Sequence, residues 1–111
     1  MKTAIIINNE AFGKGDDGLG NKLMGAFLRK IWASLDKPDV IIFYNSGVKL
    51  MAKGSEILDV LDGLYEQGVE LVGCGTCIEH YGLGQDIKVG RRTDMAEIVS
   101  MMMTYDKVIT V

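Results

Sequence analysis

Hydrophobic residues along this chain fall into two kinds of pattern. Four short runs are rich in β-branched residues: Ala4–Ile7, Val40–Tyr44, Val69–Val72 and Lys107–Val111. The first two are unbroken rather than alternating, the mark of strands covered on both faces, as in a parallel sheet. Between these runs the apolar positions take helical spacing. From Asp16 onward Leu19, Leu23, Phe27, Ile31 and Leu35 recur every four residues, widened by Met24, Leu28 and Trp32. That predicts a helix with a stripe broad enough to lie on a sheet. Asp16 or Asp17 caps its start and Pro38 closes the connection after it. A second helix is predicted from Ser55, with Ile57, Leu58, Leu61, Leu64 and Tyr65 on one face and Gly68 as its left-handed terminator. A third begins near Thr93 and turns Met95, Ile98, Val99, Met102 and Met103 inward. The run Met101–Met103 reads as adaptable packing. Lys88-Val89 adds a short extra strand.

The order is therefore strand–helix–strand–helix–strand, a turn region, then helix–strand. Such alternation predicts a three-layer α/β/α fold with a mostly parallel sheet of four to five strands, flavodoxin- or Rossmann-like, in one domain over residues 1–111. In open parallel sheets ligands bind beyond the carboxyl ends of the strands. Three polar or glycine-rich loops gather there: Asn8–Gly15, Asn45–Lys49 and Gly73–Cys77.

Composition narrows the field of functions. Hydrophobic residues are 48% and charged residues 24% of the chain, values of an ordinary packed globule. A net charge of −3, with only Arg91-Arg92 and the spaced Lys49 and Lys53 approaching a basic cluster, gives no phosphate-tracking surface. Nucleic acid is not an expected partner. No apolar run approaches the roughly 18–20 residues of a membrane span. The AIII run after Lys2 is too short for a secretory signal and reads as the first strand. Two cysteines do not make a disulfide scaffold, so a reducing cytoplasm is the expected setting.

Those two cysteines carry the candidate chemistry, within VGCGTCIEHYG at residues 72–82. Residues Ile78–Tyr81, ended by Gly82, look like a short helical turn. Cys77 would then lie near its N-terminus, where free backbone N–H groups and the dipole favour a thiolate and lower its pKa. Cys74, at the strand exit, faces no such helix end, which makes Cys77 the better nucleophile. Four readings remain open at this point. The two thiols are small buried hydrophobes without a role. Or Cys74, Cys77 and His80 hold zinc, though three ligands crowded into seven residues do not complete a tetrahedron. Or the pair is a dithiol/disulfide couple, although two glycines and a strand end are expected to keep the cysteines off a single helix start. Or one reactive thiol carries a sulfur-like atom, cradled by N–H groups of the glycine-rich loop. No metal and no cofactor is expected under the last reading.

Other rim residues have ordinary as well as chemical roles. His80, three residues past Cys77, either shuttles a proton for the thiol or is an unremarkable surface imidazole. Asn8, Asn45 and Ser46 either bond a ligand or close the strand ends as turn residues. Lys49 either supplies a positive charge near the thiol or is solvated. Gly13-x-Gly15 lacks the spacing of a dinucleotide or phosphate loop.

The segments IIFYNSGVKL (41–50), GSEIL, GVELVGCGTCIEHYGL and DKVITV resemble the C-terminal half of YedF-type selenium-metabolism proteins, sulfurtransferase-like members of the DsrE/DsrF family. The resemblance runs from about Thr3 to Val111. It implies a DsrE-like fold and a persulfide-carrying cysteine on the loop after the third strand, a role that maps onto Cys77, with Cys74 an accessory thiol. Gly75 and Thr76 belong to the same block as supporting residues. The resemblance also implies a homo-oligomer, a trimer or hexamer, and sulfur-donor and sulfur-acceptor proteins as partners. The TusA-like domain with a Cys-Pro motif that begins YedF-type proteins has no counterpart here, so a donor of that kind is expected to be a separate protein. The expected function is a sulfur, or selenium, relay on Cys77. A dithiol redox module and a non-catalytic assembly subunit are the alternatives.

Overall fold

The chain folds as β1 (Thr3–Ile7), α1 (Asp17–Ala33), β2 (Val40–Phe43), a 3₁₀ helix (Asn45–Met51), α2 (Leu58–Glu66), β3 (Glu70–Cys74), α3 (Gly75–His80), β4 (Arg91–Thr93), α4 (Met95–Thr104) and β5 (Lys107–Thr110). The computed structural model describes residues 1–111. All five strands are parallel, in the order β4-β3-β2-β1-β5.

Alternation along the strands divides the core between the two faces of the sheet. Ile5, Ile7, Ile41, Phe43 and Leu71 point to one face, where Met24 and Leu28 of α1, Leu61 and Leu64 of α2 and Ile78 of α3 cover them. Ala4, Ile6, Val40, Ile42, Val72 and Cys74 point to the other, which is covered by Ile98 and Met101 of α4. One helix serves that face because it joins opposite sheet edges. Four strand gaps span about 19 Å, and the ten residues of α4 cover about 15 Å of that. This is the expected three-layer α/β/α arrangement, with five strands and no antiparallel member.

Several sequence expectations shift by position. Leu19, Leu23 and Leu35 are exposed, so the inward side of α1 is Gly20, Met24 and Leu28, flanked by the half-buried Phe27, Ile31 and Trp32. Met95, Val99 and Met103 of α4 are likewise exposed, with Ile98 and Met101 inward. The α1 correction has a geometric cause. At 3.6 residues per turn a strict every-fourth-residue series advances about 40° at each step and winds off the buried face. Tyr65 is also exposed, and α2 starts at Leu58 rather than Ser55. The extra strand is Arg91–Thr93, not Lys88-Val89. It is a short edge strand whose charged side chains discourage pairing with another sheet. Asp16 caps α1 as expected, accepting from the Leu19 N–H at 2.7 Å.

Candidate functional site

The carboxyl ends of β1, β2 and β3 meet where the sequence places the rim. Tight contact there depends on Gly47. A Cβ at this position would come within 2.3 Å of the Ile7 carbonyl oxygen and 3.4 Å of the Asn9 nitrogen. Only glycine lets the 3₁₀ helix lie directly on the exit of β1. Polar bonds then join the two loops: the Ser46 hydroxyl donates to Asn9 Oδ1 at 3.0 Å and accepts from the Glu10 N–H at 3.2 Å. Asn9 Oδ1 also accepts from the Ala11 N–H. Ser46 is thus a loop clasp, and its partner is Asn9. Asn8, half-buried beside it, makes no side-chain hydrogen bond.

Cys77 lies in the first turn of α3 and is half-buried. Its sulfur accepts the backbone N–H of Asn45 at 3.1 Å. That donor is free because the chain turns sharply as it leaves β2. Asn45 has φ +50°, making it the one non-glycine residue in the left-handed region. Asparagine tolerates this conformation better than most residues, at a cost of order 1 kcal/mol. Its side chain is held in turn, since the Tyr81 hydroxyl donates to Asn45 Oδ1 at 2.9 Å. Lys49 Nζ lies 4.5 Å from the Tyr81 ring centroid and 3.7 Å from Glu10 Oε1. Cys77, Asn45, Tyr81, Lys49 and Glu10 therefore form one chain of contacts around the thiol.

The thiol itself corrects a sequence expectation. Burial pushes the Cys77 pKa up, the Asn45 N–H pulls it down, and the Cys74 thiol pushes it up again by hydrogen bonding and by charge repulsion. The net direction is upward, so the resting group is a thiol rather than a standing thiolate. With six residues, α3 is too short for its dipole to reverse this.

Cys74 lies at the exit of β3 as expected, and it has a second role there. It is the N-cap of α3, in extended conformation, with Cys77 three residues later inside the helix. Both cysteines therefore belong to one helix start, with β3 ending at Cys74 itself and no loop between strand and helix. Cys74 is buried among Val72, Ile98 and Met101 on the α4 face, and neither cysteine is in a disulfide. Gly75 is the first helical residue, and a Cβ there would make only an ordinary 3.4 Å contact with the Thr93 carbonyl oxygen. Thr76 is exposed and has no hydrogen-bond partner from its side chain. Neither residue cradles the sulfur.

His80 is exposed and packs edge-on against Tyr81, with ring centroids 5.0 Å apart. The groups that act on the Cys77 thiol are Asn45 and Cys74, not His80. Cys74, Cys77 and His80 do not converge into a metal-binding cluster. Tyr81, Asn9 and Glu10 are the site residues that the sequence reading missed. Tyr81 had a usable signal: it lies four residues past Cys77, on the same helical face.

A parallel five-stranded sheet with a half-buried cysteine opening the helix after β3 defines an α/β protein with a rim thiol. The DsrE/DsrF-like family model matches residues 1–111, and the chain belongs to that family. Solved structures support the fold. The chain is similar to the ychN protein from E. coli, at 22% identity over all of both chains with a TM-score of 0.69. It is similar to MTH1491 of Methanobacterium thermoautotrophicum, a protein of unknown function. There the identity is 20% over 99% of this chain and 98% of that one, with a TM-score of 0.73. It is also similar to BT1422 of Bacteroides thetaiotaomicron, at 15% identity over 99% and 95% of the two chains, with a TM-score of 0.69. No match is found among curated proteins. No helix is long and apolar enough to cross a membrane.

Proposed function

We propose that this protein is a sulfur carrier in which Cys77 accepts a sulfane sulfur as a persulfide and hands it to an acceptor protein. The observation that carries this reading is the Asn45 N–H held on the Cys77 sulfur at 3.1 Å. A hydrogen-bond donor fixed on sulfur stabilises whichever form is anionic. The bare thiol is pushed up by burial, whereas a persulfide is intrinsically more acidic than its parent thiol. At neutral pH the loaded cysteine is therefore the more anionic form beside this donor. Loading begins when the minor thiolate attacks the outer sulfur of a donor persulfide. The family is associated with sulfur relay in general, which supports this class of chemistry.

Finer features belong to the same proposal. The similarity of GCGTC and FYNSGVKL to YedF-type C-terminal domains supports selenium as an alternative cargo and a TusA-like protein as donor. The exposed Met95, Val99 and Met103 on α4 support a homo-oligomer, and two free thiols suit a reducing cytoplasm. Incubation with a persulfide donor followed by intact-mass analysis tests the carrier role. Wild type should gain sulfur and Cys77→Ser should not.

A second reading is favoured by one observation. Cys74 is the N-cap residue of the helix that holds Cys77, and the Cys74 thiol is close enough to raise the Cys77 pKa. A dithiol/disulfide couple would have Cys77 as the accessible attacking thiol and buried Cys74 as its resolving partner. Counting free thiols after mild oxidation separates the readings: loss of two thiols per chain, with disulfide reductase activity, supports the couple.

A further inference from the structure

One cavity of about 830 Å³ opens between α1, the exit of β1 and the segment after the 3₁₀ helix. It adjoins the thiol site without containing it. Lys49 lines the cavity and also lies over Tyr81, whose hydroxyl bonds Asn45, the residue that donates to Cys77. Its volume falls in the range of small-molecule clefts, about 300–1,000 Å³. Sulfide or thiosulfate would leave most of it empty.

The charge of its lining is uneven. Lys22, Arg29, Lys49 and Lys53 line it together with Glu10 and Glu56. The Lys49–Glu10 pair accounts for one charge of each sign. Lys22, Arg29 and Lys53 make no ion pair with the protein, although the chain as a whole carries a net charge of −3. An acidic protein that leaves three cations unpaired around one cavity presents a local site for anions there. The Arg29 guanidinium is folded back over Gly25, where an added Cβ would come within 3.0 Å of it. The glycine thereby lets the guanidinium lie along the cavity wall.

We infer that this cavity binds the body of a low-molecular-weight persulfide carrying two or more anionic groups, carboxylate or phosphate, and presents its outer sulfur to Cys77. This rests on the carrier reading and adds a low-molecular-weight donor class for the same thiol beside a protein donor. The Cys77 thiolate attacks the outer sulfur of R–S–SH, forming a new S–S bond on Cys77 and breaking the donor's S–S bond. The electron pair leaves with RS⁻, which takes up the proton released from Cys77. The sum is Cys77–SH plus RS–SH giving Cys77–S–SH plus RSH, with no outside oxidant or reductant.

The test uses the full chain and three donors: glutathione persulfide with carboxylates, coenzyme A persulfide with phosphates, and cysteamine persulfide with a cationic amine. Loading of Cys77 is followed by intact mass. The anionic donors should load with saturation and faster than cysteamine persulfide, and whichever of the two is faster identifies carboxylate or phosphate as the preferred group. In the Arg29→Gln/Lys53→Gln variant the ratio of anionic to cationic loading rates should fall about tenfold. Binding of glutathione and coenzyme A to Cys77→Ser, measured by calorimetry, reads the cavity without the reaction and should weaken by a similar factor when the two cations are removed. Equal rates for all three donors, an unchanged ratio in the double variant, or no binding of either anion to Cys77→Ser would overturn the inference. If both anions bind but Cys77 accepts sulfur from no donor, the cavity survives as an anion site, while the carrier reading and the donor assignment fail. If Cys77 loads from every donor alike, the carrier reading stands and the cavity assignment alone fails.

Discussion

The backbone N–H of Asn45 points at the sulfur of Cys77 from 3.1 Å away, across 32 residues of chain. That contact exists because Asn45 is left-handed, and the Tyr81 hydroxyl additionally holds its side chain. A glycine at 45 would keep both the turn and the N–H. Valine, whose branched side chain resists positive φ, would not. Asn45→Gly should therefore leave iodoacetamide reactivity of Cys77 within about twofold of wild type. Asn45→Val should lower it about tenfold near pH 8, the value of one pKa unit. Equal reactivity of the two variants would remove the N–H from the account.

Burial and Cys74 both raise the Cys77 pKa. The alkylation midpoint should therefore lie above the ~8.5 of a free cysteine, and Cys74→Ala should lower it, increasing reactivity near neutral pH. The linkage has a definite sign. An acid whose folded pKa is raised contributes stability that is complete below the unfolded pKa and is lost as pH rises through the folded value. Denaturation midpoints should fall on the alkaline side, and less steeply in Cys77→Ser. Stability that is flat from pH 7 to 10 and the same in both proteins would contradict this.

At the β4 edge Arg91 pairs with Glu70 and Glu97, and Thr93 also donates to Glu97. The Glu97 carboxylate is held down to about 2 by Arg91 first and Thr93 second. Its contribution is present above the unfolded carboxylate value near 4.5 and is lost as pH falls toward 2. Because the pair is well exposed, with 48% and 37% of the side chains accessible, screening limits it to about 1 kcal/mol. Glu97→Gln should lose that much at pH 7 and show a shallower decline from pH 5 to 2 in urea titrations.

Gly47 allows the 3₁₀ helix to touch the exit of β1. Gly47→Ala should destabilise the fold by about 2 kcal/mol, the scale of overpacking in a core, and shift Asn45 away from Cys77. Chemical denaturation and thiol reactivity should change together. A variant of wild-type stability would show that the contact yields easily.

How much of this was legible in sequence depended on the kind of signal. Unbroken apolar runs placed β1 and β2, because burial on both faces leaves no polar alternation to misread; β3 and β5 were placed by their β-rich content, although Glu70 sits in one and the other is mostly exposed. The fifth strand, Arg91–Thr93, has no such run: backbone pairing with β3 at the edge, rather than side-chain burial, makes it a strand. Helix existence was readable but helix faces were not: Leu19 and Leu23 fit a four-residue ladder that the true helical period leaves behind, while Met95 and Met103 fit an amphipathic spacing but lie outside the part of α4 that the sheet covers. Cys77 was visible from its loop and its glycines. Asn45 was visible as a candidate, though what acts on the thiol is its backbone and not its amide. The rise in the thiol pKa was not readable, because it comes from burial and from Cys74, both set by packing. The Cys74 N-cap was missed for a related reason: β3 runs directly into α3 with no loop between them.

The most direct test of the central claim, that Cys77 carries sulfur in the grip of the Asn45 N–H, is site-resolved intact-mass and peptide mapping after exposure to a persulfide donor. Wild type and Cys74→Ser should each gain sulfur at residue 77, Cys77→Ser should gain none, and the adduct on Asn45→Val should decay faster than on wild type. Sulfur retained by Cys77→Ser, or found on Cys74, would contradict the account.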